Sequence, residues 1–368
     1  MPRSAATIFA SLKKVPPFPP VAAKLLQLLA DPEVETNEVA DLISSDATFT
    51  ARLLQRANSA QFGFLANITD SRRAVALLGL DLTRQITVAH ATSAYVGGAP
   101  KTEALRRSWQ HTVATAVLAE EIALACEMFT SAAFTAGIMH DIGRLGLLVA
   151  YPGEYERVIR GSAERCLDLL DFEQETFGVH HAEAGRMLAE SWGLPSDMAV
   201  IAGRHHDACE GIELDMLRIV HVACRLADAL GYDVVKPLVP HTAQEVLAEL
   251  PLRGRQRLTQ APEQLLRSIE ERIREFGGEE PEIEPEVALS MLADAAAAQE
   301  PTAGANSNAP PSVQESSSDH TDTNHVDIRA YILEPVLSES KRNWTPAIVI
   351  GIATGLAVAA ALAYWLLR

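Results

Sequence analysis

Cysteine is scarce in this sequence, and no two cysteines form a CxxC pair. There are 4 cysteines among 368 residues, at positions 126, 166, 209 and 224. A disulfide framework or a paired-cysteine zinc site requires closely spaced cysteines, so the pattern argues against both. We interpret these residues as reduced, buried, small hydrophobic residues of a cytoplasmic domain. Cys209, four residues after His205, has a second interpretation as a thiolate ligand, which the lack of a paired ligand motif disfavours.

Basic residues are also in short supply. The chain has 31 Lys and Arg against 48 Asp and Glu, and its formal net charge is −17. Because nucleic-acid-binding surfaces are normally basic, we expect no nucleic-acid partner. A long apolar run is missing from residues 1–14, so no signal peptide is predicted there.

The first hundred residues show helical spacing of apolar positions and no convincing strand pattern. The predicted N-cap residues are Thr36 or Asn37, Asp46, and Asp70 or Ser71. Gly79 is predicted to end a helix. Asn58 suggests either a ligand-binding side chain or, as we prefer, an ordinary turn at the C-terminus of a helix.

Ligand-type side chains recur in five predicted helices of the middle of the chain. They are His111, His140, Asp141, His181, His205, His206 and Asp228. An adjacent His and Asp can place an imidazole nitrogen and a carboxylate oxygen on one divalent metal ion. Gly143 and Gly146 after that pair predict a turn. Helical proteins build metal centres by projecting such side chains into a bundle interior.

Seven ligand-type residues suit two divalent ions, of Fe, Mn or Zn. The first would be held by His111, His140, Asp141 and Asp228. The second would be held by His181, His205 and His206, with Asp141 bridging. Two ions a few ångströms apart would activate a water for phosphoryl displacement. The alternative is that each histidine is an ordinary buried, hydrogen-bonded residue.

The order of these residues resembles the HD superfamily of metal-dependent phosphohydrolases, and longer phrases resemble its HDOD branch. They include AGIMHDIGRLGLL, ETFGVHHAEAGRMLAESWGLPSDMAVIAGRHHD, IVHVACRLADAL and VADLISSDATFTARLLQRANSAQFG. The resemblance covers roughly residues 10–275. It implies an all-α fold in two parts, with a helical subdomain over residues 1–100 packed on an HD-type bundle over residues 101–276.

The resemblance leaves two functions open. The HDOD branch is generally regarded as regulatory, so we expect a role in signalling through contacts with other proteins. The alternative is a phosphodiesterase acting on a nucleotide, in which Asp141 and Arg144 are catalytic; Arg144 stands where the HD-GYP branch has a phosphate-binding lysine. Against catalysis, the GYP tripeptide after the histidine pair is missing, and Arg107 replaces a glutamate seen where a third metal is held.

The composition changes after residue 276. Residues 277–343 are acidic and polar and predict a flexible linker, with one short Ala-rich helix over 287–298. Residues 344–367 carry no charge, and a helix of this length can cross a hydrocarbon layer of roughly 30 Å. Lys341 and Arg342 precede it and only Arg368 follows. The charge bias predicts a single-pass anchor in the cytoplasmic membrane, with the N-terminal part in the cytoplasm.

Small residues recur at every fourth position of this apolar segment. They are Ala347, Gly351, Gly355, Ala359 and Ala363. Such a stripe lets two membrane helices approach closely, so we expect a weak homodimer through Gly351 and Gly355. The alternative is coincidence in a segment that is rich in Ala and Gly.

Overall fold

A computed structural model describes residues 5–12, 18–31, 33–59, 68–207, 213–279, 281 and 285–298. These residues form helices, turns and loops, with no strand among them, which confirms the all-α prediction. Cys209, most of the predicted linker and the predicted membrane segment over 344–367 lie outside the described residues.

Five helices come from the N-terminal part of the chain. They are α1 Ala5–Leu12, α2 Pro20–Leu28, α3 Thr36–Ser44, α4 Ala47–Ala57 and α5 Ser71–Val96. The middle of the chain supplies α6 Glu103–Ala125, α7 Thr130–Met139, α8 Ile142–Ala150, α9 Pro152–Arg165, α10 Leu169–Phe177, α11 His181–Ser191, α12 Ser196–Arg204 and α13 Met216–Ala227. A short π-helical turn, Asp228–Tyr232, extends α13, and α14 Ala243–Ala248, α15 Leu252–Gln260, α16 Pro262–Glu275 and α17 Pro285–Ala297 follow.

Local side-chain chemistry sets several of these helix ends. The Asp46 carboxylate accepts the backbone N–H groups of Thr48 and Phe49 in α4, and the Asp70 carboxylate accepts the backbone N–H of Arg73 in α5, as predicted. The prediction for α3 was wrong, because Thr36 is already helical and Glu35 holds the cap position without a side-chain bond. Gly79 has a φ of 77° and kinks α5, which is the interruption predicted there.

Asn58 closes the C-terminus of α4. Its side-chain amide donates to the carbonyl oxygens of Leu54 and Ile68, at 2.9 and 2.8 Å, and its side-chain oxygen accepts the backbone N–H of Ile68. The amide is thus engaged by backbone groups. The structural interpretation of Asn58 is therefore the correct one.

Helix α6 runs through the hydrophobic core and is buried along most of its length. It contacts α7, α13, α15 and α16. Among the described residues, one stretch, Thr130–Ala150, is long and apolar enough to cross a membrane by length and composition. It comprises α7 and α8, and 89% of its apolar window is buried within the bundle, as expected of a core segment.

Two glycines allow neighbouring helices to approach more closely than any other residue would permit. A Cβ at Gly143 on α8 would lie 1.9 Å from the carbonyl oxygen of His181 and 2.3 Å from the nitrogen of Gly185, both on α11. A Cβ at Gly137 on α7 would lie 2.4 Å from the Cα of Ala116 on α6. The predicted turn at Gly143 and Gly146 was wrong, since both lie inside α8. At Gly143 the sequence needs a small residue for packing, not a chain reversal.

We expect Gly143→Ala to separate α8 from α11, because the added methyl group meets backbone atoms that cannot rotate away. Overpacking of this kind should lower the free energy of unfolding by about 3 kcal/mol and the melting temperature by roughly 6–12 °C. Thermal unfolding followed by circular dichroism measures both. The control is Gly153→Ala, where an added Cβ meets no atom within 4 Å; equal melting temperatures for the two variants would contradict the packing argument.

Candidate metal centre

The predicted ligand residues converge from six helices on the interior of the bundle. His111 lies within α6, His140 and Asp141 form the junction between α7 and α8, and His181 begins α11. His205 and His206 follow α12, and Asp228 follows α13. The side chains of the first four residues and of His205 are at most 3% exposed, whereas His206 is exposed.

The first cluster of the centre consists of His111, His140 and Cys224. The Nε2 atoms of the two imidazoles are 3.3 Å apart, and the Cys224 Sγ is 3.5 Å from Nε2 of His111. All three ligand atoms lie within 4.8 Å of one another. That spacing lets a single metal ion contact all three.

Hydrogen bonds on the outer side of each ring fix which nitrogen faces the cluster. Nδ1 of His111 lies 3.1 Å from the carbonyl oxygen of Tyr232, and Nδ1 of His140 lies 2.6 Å from that of Gly137. A carbonyl oxygen only accepts, so in both rings Nδ1 donates its proton. The lone pairs of both Nε2 atoms then point at each other, an arrangement that requires a proton or a metal ion between them.

Protonation of the two rings differs. Burial lowers the pKa of His140 to about 4, so this ring is neutral and able to bind a metal. Burial also lowers the pKa of His111, but neighbouring Cys224 and Asp228 raise it more, and the net shift is upward. A proton on His111 therefore occupies the position that a metal ion would take, and binding of the metal would release it.

Cys224 and Asp228 exchange the roles expected from the sequence. The Asp228 carboxylate lies 3.2 Å from Nδ1 of His111, on the outer side of the ring, where carboxylates orient metal-binding histidines. Cys224 was interpreted as a small hydrophobic residue, yet its sulfur lies at the inner nitrogen. Cys224 lies on α13 and Asp228 four residues later begins the π-helical turn that extends it, so the two residues share a face, which is the signal that could have revealed Cys224.

The second cluster of the centre consists of His181, His205 and His206. The Nε2 atoms of His181 and His206 are 2.8 Å apart, and the ligand atoms of the three residues lie within 4.8 Å of one another. Nδ1 of His205 donates to the carbonyl oxygen of Ala202 at 3.0 Å, and its Nε2 has no hydrogen-bond partner among the described residues. The ring centroid of His205 is 4.9 Å from that of His140, so His205 links the two clusters.

Arg144 lies inside this second cluster. Its Nε donates to Oδ2 of Asp141, and its Nη2 is 3.0 Å from Nε2 of His181. Burial alone would raise the pKa of Asp141, but Arg144 and the nearby histidines hold it well below its usual range. Asp141 is therefore ionised, with Oδ1 3.5 Å from Nε2 of His181 and without a hydrogen-bond partner among the described residues.

Glu173 on α10 supports His181 from behind and was missed in the sequence. Its fully buried carboxylate accepts the backbone N–H of His181 at 2.7 Å and lies 2.7 Å from Nδ1 of the same residue. The hydroxyl of Tyr155 donates to it as well. A carboxylate behind a metal-binding histidine fixes the ring and makes it a stronger ligand. Its buried position on an otherwise exposed acidic helix face could not be inferred from spacing to the histidines.

The donor set fits a divalent metal ion. Neutral imidazole nitrogens and a thiol that can ionise are ligands that Zn²⁺ and Fe²⁺ favour. In the first cluster the Nε2 atoms of His111 and His140 face each other while both Nδ1 atoms are engaged by carbonyl oxygens, and a cation would satisfy these two acceptors. Arg107, at the position considered for a third metal, instead pairs with Asp233 at 2.9 Å.

A surface cavity of about 590 Å³ lies elsewhere. It is lined by Arg56, Ser268, Glu271, Arg272, Arg274 and Glu275. None of the candidate ligands contributes to it, so this cavity is not an entrance to the metal centre.

Comparison with known proteins agrees with this architecture. The profile of the HDOD domain matches residues 15–208. A curated but uncharacterised protein of Treponema pallidum is 24% identical over 205 residues, which are 55% of this chain and 40% of that protein. The matched segment thus spans well under half the length of the curated relative.

Solved structures share the fold at low sequence identity. An HDOD domain protein of unknown function from Geobacter sulfurreducens has a TM-score of 0.57 and 22% identity, covering 73% of this chain and 99% of that one. A candidate signal transduction protein from Marinobacter aquaeolei has a TM-score of 0.53 and 19% identity, covering 80% and 62%. A candidate phosphohydrolase from Shewanella amazonensis has a TM-score of 0.51 and 21% identity, covering 79% and 94%.

We expect Glu173→Gln to weaken the second cluster, because the new amide places an N–H group against the donors of His181. A buried donor without an acceptor costs about 1–3 kcal/mol of stability, and loss of such a supporting carboxylate weakens metal binding by roughly 10–100-fold. Thermal unfolding without metal isolates the first effect. Glu175→Gln, on the exposed side of the same helix, is the control and should melt like the wild type; equal stability of both variants would exclude the supporting role.

Proposed function

We propose that this chain, which belongs to the HDOD domain family, is a membrane-tethered regulatory protein. Its helical bundle would hold a buried divalent metal ion and present a surface to signalling proteins. The observation that carries the metal proposal is the pair of Nε2 atoms of His111 and His140, 3.3 Å apart with both Nδ1 atoms at carbonyl oxygens.

Burial of the centre favours regulation over turnover. His140, Asp141 and His181 are at most 1% exposed, so a phosphodiester has little access to an ion held there. One carboxylate oxygen of Asp141 already accepts a hydrogen bond from Arg144. A buried ion of this kind stabilises the helices that supply its ligands, and its loss would change the surface that they present.

A second candidate function is phosphodiester hydrolysis. It is favoured by Nη1 of Arg144, a buried donor without a hydrogen-bond partner among the described residues, which suits a phosphate oxygen. The name of the Shewanella amazonensis relative points the same way. Bound divalent ions would supply an activated water at neutral pH; in this role Asp141 would bind the ions and Arg144 would stabilise the negative charge on the phosphoryl oxygens.

Metal analysis of the purified full-length chain tests the centre. We expect Zn, Fe or Mn at one or more equivalents in the wild type, and loss of the ion bound by the first cluster in His111→Asn and in Cys224→Ser. Removal of the metal by a chelator should lower the melting temperature of the wild type by several degrees, because binding free energy is lost from the folded state. A folded wild type with no metal, insensitive to chelator, would refute the centre.

Hydrolysis assays with an aryl phosphodiester and with a set of cyclic and linear nucleotides as substrates distinguish the two functions. The regulatory proposal expects no turnover by metal-loaded protein. Turnover that Asp141→Asn abolishes, with folding preserved, would favour the hydrolase.

The membrane tether rests on residues 344–367 and the flanking charges. We expect the full chain to stay with the membrane fraction after an alkaline carbonate wash, because extraction would expose an uncharged apolar segment to water. A variant ending at Asn343 should be released into the soluble fraction. Release of the full chain under the same wash would contradict the anchor.

Two partners are part of the proposal. The first is a signalling protein that binds the helical bundle. The second is another copy of this chain, paired weakly through Gly351 and Gly355 in the membrane.

A further inference from the structure

We infer that Arg144 occupies the place of a second divalent ion, so that this chain binds one ion, at His111, His140 and Cys224, rather than two. This inference rests on the proposed metal centre. It goes further by assigning the number of ions and by giving Arg144 the role of a fixed internal cation.

The first support is that Arg144 uses the atoms a second ion would need. A second ion requires Nε2 of His181, and this nitrogen accepts from Nη2 of Arg144 at 3.0 Å. An imidazole nitrogen has one lone pair in the plane of its ring, so it cannot accept this hydrogen bond and bind a metal at once. Nε2 of His206, 2.8 Å from the same nitrogen, competes for it too.

The second support comes from the carboxylate that would bridge two ions. Asp141 is the candidate bridge, and one of its two oxygens is held by Nε of Arg144. Both residues are buried, with relative exposures of 1% and 5%. Because Arg144 lies three residues after Asp141 at the start of α8, the helix itself keeps the two side chains side by side.

The third support is charge. An arginine guanidinium stays protonated in proteins, so Arg144 places a full positive charge beside Asp141 and His181. A divalent ion within about 4 Å of this cation would bind more weakly by a factor on the order of 10^6, even at an effective dielectric constant of about 20. The second cluster is thus already neutralised from within the chain.

In the first cluster, Arg144 takes up no ligand atom by a hydrogen bond. The hydrogen bonds that the structure gives to Arg144 go to Asp141 and His181. None joins Arg144 to His111, His140 or Cys224. An ion at the first cluster would therefore have to displace only the proton between His111 and His140, while the second cluster stays closed by a side chain that cannot leave.

The experiment is a titration of metal-free, full-length chain with Co²⁺, followed by its visible absorption and by metal analysis. We expect one tightly bound equivalent in the wild type, with the charge-transfer absorption of a cobalt–thiolate bond from Cys224. Arg144→Gln removes the internal cation and should bind two equivalents. Arg186→Gln, which removes an exposed arginine of α11 paired with Glu190, is the matched control and should bind one.

Cys224→Ser assigns the ions to clusters. In the wild-type background it should abolish tight binding, and in the Arg144→Gln background it should reduce two equivalents to one without thiolate absorption. Arg144→Gln also leaves Asp141 without its buried partner, so the metal-free variant should be less stable and Co²⁺ should raise its melting temperature more than that of the wild type. This thermal comparison is a readout independent of any activity.

The outcomes distinguish this inference from the proposed centre. Two tight equivalents in the wild type, or one in folded Arg144→Gln, would overturn the role of Arg144 while leaving the metal centre in place. No bound Co²⁺ in the wild type would overturn the centre itself. If Arg144→Gln does not fold, the stoichiometry of the wild type still decides between one ion and two.

Discussion

Two buried imidazole nitrogens that face each other inside the helical bundle are the constraint on which the centre depends. Nε2 of His111 and Nε2 of His140 are 3.3 Å apart. Neither ring can turn to relieve this contact without losing the bond of its Nδ1 to a backbone carbonyl oxygen. In a low-dielectric interior such a pair is stable only around a positive charge, either a proton or a metal ion. An ion bound there would hold together α6, α7 and, through Cys224, α13. Binding of the ion would therefore add directly to the stability of the bundle.

The fold was predictable where local chemistry decides it. Asp46 and Asp70 are helix caps that any neighbouring context would use, and Gly79 interrupts α5 because of its backbone freedom. Gly143 was misread as a turn. A glycine that permits close packing looks the same in sequence as a glycine that ends a helix, and only the position of α11 tells them apart. The segment over 344–367 remains a prediction from sequence.

The candidate site was predictable by residue type and order but not by the role of each residue. Asp141 and four of the histidines, His111, His140, His181 and His205, do meet in the interior, and His206 reaches His181 from an exposed position. Asp228 lies behind His111 and not among the inner ligand atoms. Which side of an imidazole faces a metal depends on where its other nitrogen finds an acceptor, and that acceptor is usually a distant backbone group. Cys224 and Glu173 were missed for the same reason: a thiol and a carboxylate become part of a centre only when tertiary packing brings them to a ring nitrogen.

The junction between α7 and α8 has a mechanical consequence. His140 belongs to the first cluster and the next residue, Asp141, binds the guanidinium in the second, so one peptide bond joins the two. A force that tilts α8 would shift both sets of atoms together, and occupancy of the first cluster would in turn resist that tilt. A partner protein that binds α8 more tightly when the first cluster holds an ion will therefore raise the affinity of the cluster for that ion. By linkage, the ion raises the affinity for the partner protein by the same factor. The orientation of α8 and the occupancy of the first cluster are thus coupled through the single peptide bond between His140 and Asp141.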